Sequence, residues 1–93
     1  LAGGELDHRL LGATFEDIPL KTRSNRVRGV VLVELEGDSR LARRGMRPGD
    51  IVTGANRQSV RDLGEFREVV GGINGTLYLE VLRGGRDYVV RLD

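Results

Sequence analysis

Leu10-Leu11-Gly12-Ala13-Thr14-Phe15 has the residue types and spacing for a chemical task. A glycine between apolar residues at the start of a short strand lets the backbone bend sharply, with no Cβ in the way. Successive N–H groups can then point into one hollow, and such a hollow attracts anions, a peptide's terminal carboxylate among them. The edge of the strand that follows can accept the rest of such a peptide as an added strand. The same residues also suit a plain strand with a bulge at Gly12, and the motif alone does not separate the two readings.

Other reactive side chains are sparse. His8 is the single histidine and sits beside Asp7, but neighbours in sequence rarely face each other, and it reads as an exposed linker residue. There is no cysteine, so neither a disulfide framework nor thiolate chemistry is available. With no carboxylate pair in a plausible cleft, no catalytic residues, metal ligands or cofactor site are assigned. Arg40, Arg43, Arg44 and Arg47 read as a solvated surface, because no aromatic or Gly-rich nucleic-acid element accompanies them. The net charge of +1 likewise argues against non-specific nucleic-acid binding.

The chain of 93 residues is the size of one domain. A chain this long buries about 60–65% of the surface its unfolded form exposes, enough for one modest core. No apolar run approaches the ~18–20 residues that cross a membrane, so no membrane insertion is expected. Leu1-Ala2-Gly3-Gly4 lacks the charged start and apolar centre of a signal peptide. The chain reads as a piece of a longer protein, with residues 1–9 a linker from a preceding domain and 10–93 the domain itself.

The elements that must position the Gly12 stretch follow in order. After the acidic Glu16-Asp17-Ile18-Pro19, Lys21 to Arg28 reads as a polar loop. Gly29 to Leu35 is apolar on both faces, the pattern of a strand buried on both sides. Ser39 is an N-cap candidate for a short helix that places Leu41 and Ala42 inward and ends at Gly45. Met46-Arg47-Pro48-Gly49-Asp50 is a turn leading into the short strand Ile51 to Asn56, and Asn56 to Val60 is a second turn. Asp62-Leu63-Gly64-Glu65 has the form of an acidic capping box. It opens a helix through Val70, with apolar residues at 63, 66, 69 and 70. On that stripe Leu63 and Val70 are expected in the core, with Phe66 and Val69 leaning toward a groove. Thr76 to Arg83 and Arg86 to Leu92 are strands joined by a Gly84-Gly85 hairpin. The fold class is mainly β with two short helices (α+β), a small, partly open five- to six-stranded β-barrel or sandwich capped by helices.

That order of elements resembles a PDZ domain of the bacterial HtrA type, with its permuted strand order. The resemblance rests on Leu11-Gly12-Ala13 as a carboxylate-binding loop, on Leu41 to Val52 with Gly45 and Gly49-Asp50, and on Asn56 to Val70. It covers residues 9 to 93. In detail it is closest to the second, C-terminal PDZ domain of DegP/DegQ-like periplasmic serine proteases. The matching pieces are Leu11-Gly12-Ala13-Thr14, Asp50 to Asn56, Glu65 to Val69 and Leu82-Arg83-Gly84.

The resemblance implies a non-catalytic module of a periplasmic protease–chaperone. Its expected partners are C-termini or extended apolar segments of unfolded or misfolded proteins, and other PDZ or protease domains of the same oligomer. The implied peptide site comprises Leu10, Leu11, Gly12, Ala13, Thr14 and Phe15 with Phe66, Val69 and Val70. The N–H groups of Leu11, Gly12 and Ala13 would receive the carboxylate. Ala13 is smaller than the bulky aliphatic residue often found there, which predicts a pocket that is either shallow or differently filled. The alternatives are a pure assembly module with little peptide binding, or a PDZ domain of another membrane-linked protease or secretion component.

Overall fold

The computed structural model describes residues 1–19 and 27–93. Lys21 to Arg26, most of the expected polar loop, lies outside the described residues. Strands β1 (Ala13–Asp17), β2 (Val30–Leu35), β3 (Ile51–Ala55), β4 (Gln58–Ser59), β5 (Leu77–Arg83) and β6 (Arg86–Leu92) form one antiparallel sheet. Its order is β1-β2-β3-β5-β6, with β4 paired to β3. Helices α1 (Arg40–Arg43) and α2 (Leu63–Gly71) and two 3-10 turns, Gly3–Glu5 and His8–Leu10, complete the described chain. The result is the expected mainly β architecture with two short helices.

Alternation along the strands sends every second side chain into one core. On β5, Leu77, Leu79 and Val81 are buried while Tyr78 is exposed. β2 departs from expectation in the same way. Val30 and Leu32 are fully buried, but Val31 and Val33 are half-buried and Glu34 is exposed. An antiparallel sheet covered on one side needs only one apolar face, so the continuous apolar run overstated the burial of β2.

The helix signals translate into bonds. Ser39 Oγ accepts from Ala42 N at 3.2 Å. At the other end of α1, Gly45 N donates to Ala42 O and Met46 N to Leu41 O, both at 3.0 Å, the paired bonds that close a helix at a C′ glycine. Met46 and Leu41 are both buried there. At α2, Asp62 Oδ1 accepts from Glu65 N at 2.8 Å. The expected reciprocal half of the capping box is displaced by one residue, since Glu65 Oε1 accepts from Arg61 N at 2.9 Å. The Arg61 guanidinium also reaches the Glu65 carboxylate, at 3.0 Å, and that ion pair draws it away from the Asp62 amide.

The stretch read as a turn at Asn56 to Val60 contains β4 and is tied to its neighbour strand. Asn56 Nδ2 donates to Thr76 O at 3.0 Å and Asn56 Oδ1 accepts from Tyr78 N at 2.7 Å.

Candidate functional site

Gly12 lies where the sequence required it, at φ +89° between the second 3-10 turn and β1. A Cβ there would meet Ser39 Cβ at 3.0 Å and Glu36 Oε2 at 3.1 Å, so both backbone angle and space call for glycine. Gly12 O accepts from Glu36 N at 2.8 Å, which binds the loop to the end of β2. A bulge does occur nearby, two to three residues further on, where the β1–β2 register shifts between Thr14 and Phe15. Beside Gly12 opens a hollow of about 490 Å³ whose lining includes Leu11, Leu35 and the carboxylates Glu5, Glu34 and Glu36, with no basic residue among the described residues of its walls. Leu11 N is engaged within the chain, donating to His8 O at 3.2 Å.

The outer edge of β1, away from β2, carries an added strand supplied by the chain itself. Leu1 N donates to Phe15 O, and Phe15 N donates to Leu1 O, each at 2.8 Å. Ala2 forms an antiparallel bridge with Thr14. Gly3 continues this line, and a Cβ on it would meet Leu10 O at 2.4 Å and Leu10 Cβ at 2.8 Å. The segment thus runs antiparallel to β1, from Phe15 toward the Gly12 loop. Composition offered no signal for this strand, because two residues of pairing leave no periodicity to read.

The structure distributes the remaining site residues between core and surface. Leu10, Phe15 and Phe66 have no exposed surface, Ala13 and Val70 have 2%, and Leu11 is 68% exposed. Val69 is half-buried and packs on the core, as does Leu63. The expected division of α2 is therefore corrected. Phe66, assigned to a groove, is a core residue, and Leu63, assigned to the core, is only partly buried. The cause is Phe15, which points inward from β1 and meets the Phe66 ring edge-on, with centroids 5.0 Å apart and planes at 68°. Asp17 Oδ1 accepts from Leu63 N at 2.8 Å and draws the start of α2 onto the end of β1.

Two charged clusters that the sequence reading did not find hold this region in place. Arg9 is buried and grips the Asp7 carboxylate with two bonds, Nε to Oδ1 at 2.9 Å and Nη2 to Oδ2 at 2.8 Å. Its Nη1 donates to Gly75 O at 2.6 Å and Leu92 O at 3.2 Å, fastening the second 3-10 turn to the far side of the domain. His8, by contrast, has a side chain that is 81% exposed, and its Nδ1 lies 3.7 Å from Asp7 Oδ1, farther than either Arg9 bond to that carboxylate. The readable signal was Asp7 as the cap of that 3-10 turn, since Oδ1 also accepts Arg9 N at 2.9 Å. In the second cluster Asp50 accepts from Arg83 Nε and Nη2 at 2.7 Å each, from the Tyr88 hydroxyl at 2.6 Å and from Arg47 N at 2.9 Å.

These contacts set a pH dependence. The Arg9 guanidinium holds the Asp7 carboxyl down from 3.8 to about 2. Burial works against a charged Asp50, but the bonds from Arg83, Tyr88 and Arg47 outweigh it and keep that carboxyl below its ordinary value. A depressed folded-state pKa contributes stability that is complete above the unfolded value and lost as pH falls through the folded one. For Asp7 that is about 2 kcal/mol, lost between about pH 4 and pH 2. Melting temperature is expected to fall across this window, and Asp7→Asn is expected to flatten the fall while lowering stability at neutral pH.

No protein-family model matches the chain. A probable periplasmic serine protease, do/HhoA-like, of Haemophilus influenzae is 31% identical over 77 residues, which span 83% of this chain and 16% of that protein. A probable periplasmic serine endoprotease, DegP-like, of Pseudomonas putida is 29% identical over 87 residues, 90% of this chain and 18% of that protein. The periplasmic serine endoprotease DegP of Salmonella typhimurium is 33% identical over 57 residues, 61% of this chain and 12% of that protein. The chain thus spans only a small part of the length of the curated relatives it matches. Among solved structures, the HtrA3 PDZ domain bound to a phage-derived ligand, FGRWV, superposes with a TM-score of 0.69 at 26% identity, covering 85% of this chain and 77% of that one. The HtrA-type protease AlgW with a decapeptide shares the fold, with a TM-score of 0.69 at 20% identity over 86% of this chain and 26% of that one. The relatives are periplasmic proteins, in keeping with the location expected from the sequence. With kinship in sequence and superposition in structure both running through most of its length, the chain belongs to the HtrA-type PDZ domains.

Proposed function

We propose that this domain is the substrate-handling module of a periplasmic serine protease, and that it takes up extended peptide segments as an added strand on the outer edge of β1. The observation that carries the reading is the Leu1–Ala2 strand. It occupies that edge antiparallel and runs toward the Gly12 loop, the geometry of strand addition. That the similar HtrA3 PDZ domain is bound to a phage-derived ligand, FGRWV, supports peptide uptake here. Uptake then proceeds by exchange, the incoming segment replacing Leu1 and Ala2. Proteolysis belongs to another part of the parent protein, and this module holds chain for it.

The edge offers few side-chain contacts. Phe66 and Val70 belong to the core, and Leu11 and Val69 remain as the proposed pocket wall, with the buried Ala13 kept because it lines the hollow beside Gly12. Affinity is therefore expected in the micromolar range or weaker, about −8 kcal/mol or less in magnitude. The chain is to be titrated by NMR with a short apolar peptide, as free acid and as amide, before and after removal of Leu1 and Ala2. Two main-chain bonds at about 1 kcal/mol net each predict that the removal tightens binding about ten- to thirtyfold. A preference for the free acid would assign the carboxylate to the Gly12 loop. Equal binding of acid and amide would point to internal segments, which the acidic hollow beside Gly12 favours.

The occupied edge and the buried Phe66 also favour a second reading, an assembly module whose surfaces contact other domains of the same oligomer. Absence of binding to both the full and the shortened chain would leave that reading and remove the first.

A further inference from the structure

We propose that β6 is a self-pairing edge, through which two copies of this chain join antiparallel over Asp87–Arg91 about a twofold axis at Val89. This surface is separate from the peptide-accepting edge, since β1 and β6 stand at opposite ends of the strand order.

The backbone defines the register. Arg83 pairs with Arg86 across the two-residue Gly84-Gly85 turn, and the ladder continues without a shift to Leu77 and Leu92. In such a hairpin the pair flanking the turn exchanges hydrogen bonds, and bonded and non-bonded pairs then alternate. Tyr88 and Val90 accordingly bond inward to β5, while the N–H and C=O groups of Asp87, Val89 and Arg91 point out of the sheet edge. Among the described residues no strand covers this edge. The free stretch ends where Arg9 Nη1 reaches Leu92 O and Arg40 Nη1 reaches Asp93 O.

The side chains select the partner. Asp87, Val89 and Arg91 are exposed, whereas Val90 and Leu92 are buried, so the outward-bonding residues also carry the solvent-facing side chains. Of three exposed large apolar residues in the described chain, two, Val89 and Tyr78, lie on this face, next to or on β6. A second copy centred on Val89 sets Val89 against Val89 and Asp87 against Arg91 on both sides of the axis. Main-chain bonds run through all three pairs. A shift of one bonding step one way sets Asp87 against Asp93. The other shift sets Arg91 against the glycine turn. Asp87 has no ionic or hydrogen-bonding side-chain partner among the described residues. Arg91 rests only on Asp93 at 3.0 Å, with both side chains more than 60% exposed (62% and 61%), a contact easily exchanged. A five-residue pairing buries well under the ~800 Å² per partner of stable complexes, so the isolated domain associates weakly.

The test is sedimentation equilibrium of the 93-residue chain from micromolar to millimolar concentration, on the wild type, Asp87→Arg, Arg91→Glu and an equal mixture of the two variants. The wild type is expected to dimerise in the high-micromolar to millimolar range. Each variant alone places like charges opposite one another and is expected to associate at least about tenfold more weakly. In the mixture, the arginine introduced by Asp87→Arg faces the glutamate introduced by Arg91→Glu, and across the axis the native Arg91 of the first variant faces the native Asp87 of the second. Opposite charges therefore meet on both sides, and wild-type association is expected to return as a heterodimer. Both substitutions are on the surface and should leave the melting temperature and peptide titration unchanged. A wild type that stays monomeric at millimolar concentration overturns the proposal. So do single variants that associate like wild type, or a mixture that fails to recover.

Discussion

Phe66→Ala is expected to destabilise the domain by about 3–5 kcal/mol, the cost of removing a buried aromatic ring and leaving its cavity. Phe66 has no exposed surface, and its ring meets Phe15 at 5.0 Å, so the cavity would open between β1 and α2. Domains of this size are stable by only about 5–15 kcal/mol, and the variant would be close to unfolding at physiological temperature. Urea unfolding measures the loss. Phe15→Leu, alone and combined with Phe66→Ala, isolates the ring contact as a coupling of about 0.5–1.5 kcal/mol. Were Phe66 the wall of a ligand groove, truncation would weaken ligand binding and leave stability nearly intact. A loss below about 1 kcal/mol would therefore contradict the buried placement.

Arg9→Ala is the second large effect. It leaves the Asp7 carboxylate without its buried partner and takes the donor away from Gly75 O and Leu92 O. Breaking a fully buried pair from one side costs about 3–5 kcal/mol, and the Asp7 carboxylate, which keeps some contact with solvent, sets this variant toward the lower end. Replacing both partners by apolar residues, as in Asp7→Leu with Arg9→Met, is expected to recover most of that loss. The effect should also reach β1. Arg9 fastens the turn that leads from Leu1–Ala2 to the Gly12 loop. Hydrogen exchange at Phe15 N, which donates to Leu1 O, should accelerate more in Arg9→Ala than exchange in β5. Equal acceleration everywhere would make Arg9 a general stabiliser with no particular hold on the added strand.

The two predictions mark where local and distant information part. Ser39 and Asp62 as helix caps, Gly45 as a helix stop, Gly84-Gly85 as a hairpin and Gly12 as a bend are all legible from the sequence. Each depends on the φ angle or hydrogen-bonding reach of a residue and its near neighbours. The order of elements along the chain, and with it the resemblance to HtrA-type PDZ domains, follows from such punctuation taken together.

What faces what was decided only in three dimensions. The apolar stripe of α2 fixed that one side of the helix is buried. Which residue on it reaches deepest depended on Phe15, contributed by a strand 51 positions earlier in the chain. The carbonyls that Arg9 reaches lie 66 and 83 residues away, and the Asp50–Arg83 pair spans 33. No periodicity carries such contacts. Leu1 and Ala2 read as linker because strand pairing requires only backbone groups, and every residue type but proline supplies both. Sequence set the angles at which this chain bends and the faces it prefers to bury. Packing settled which buried groups meet, and therefore that the outer edge of β1, where we propose a guest strand adds, is already held by a segment of the chain's own.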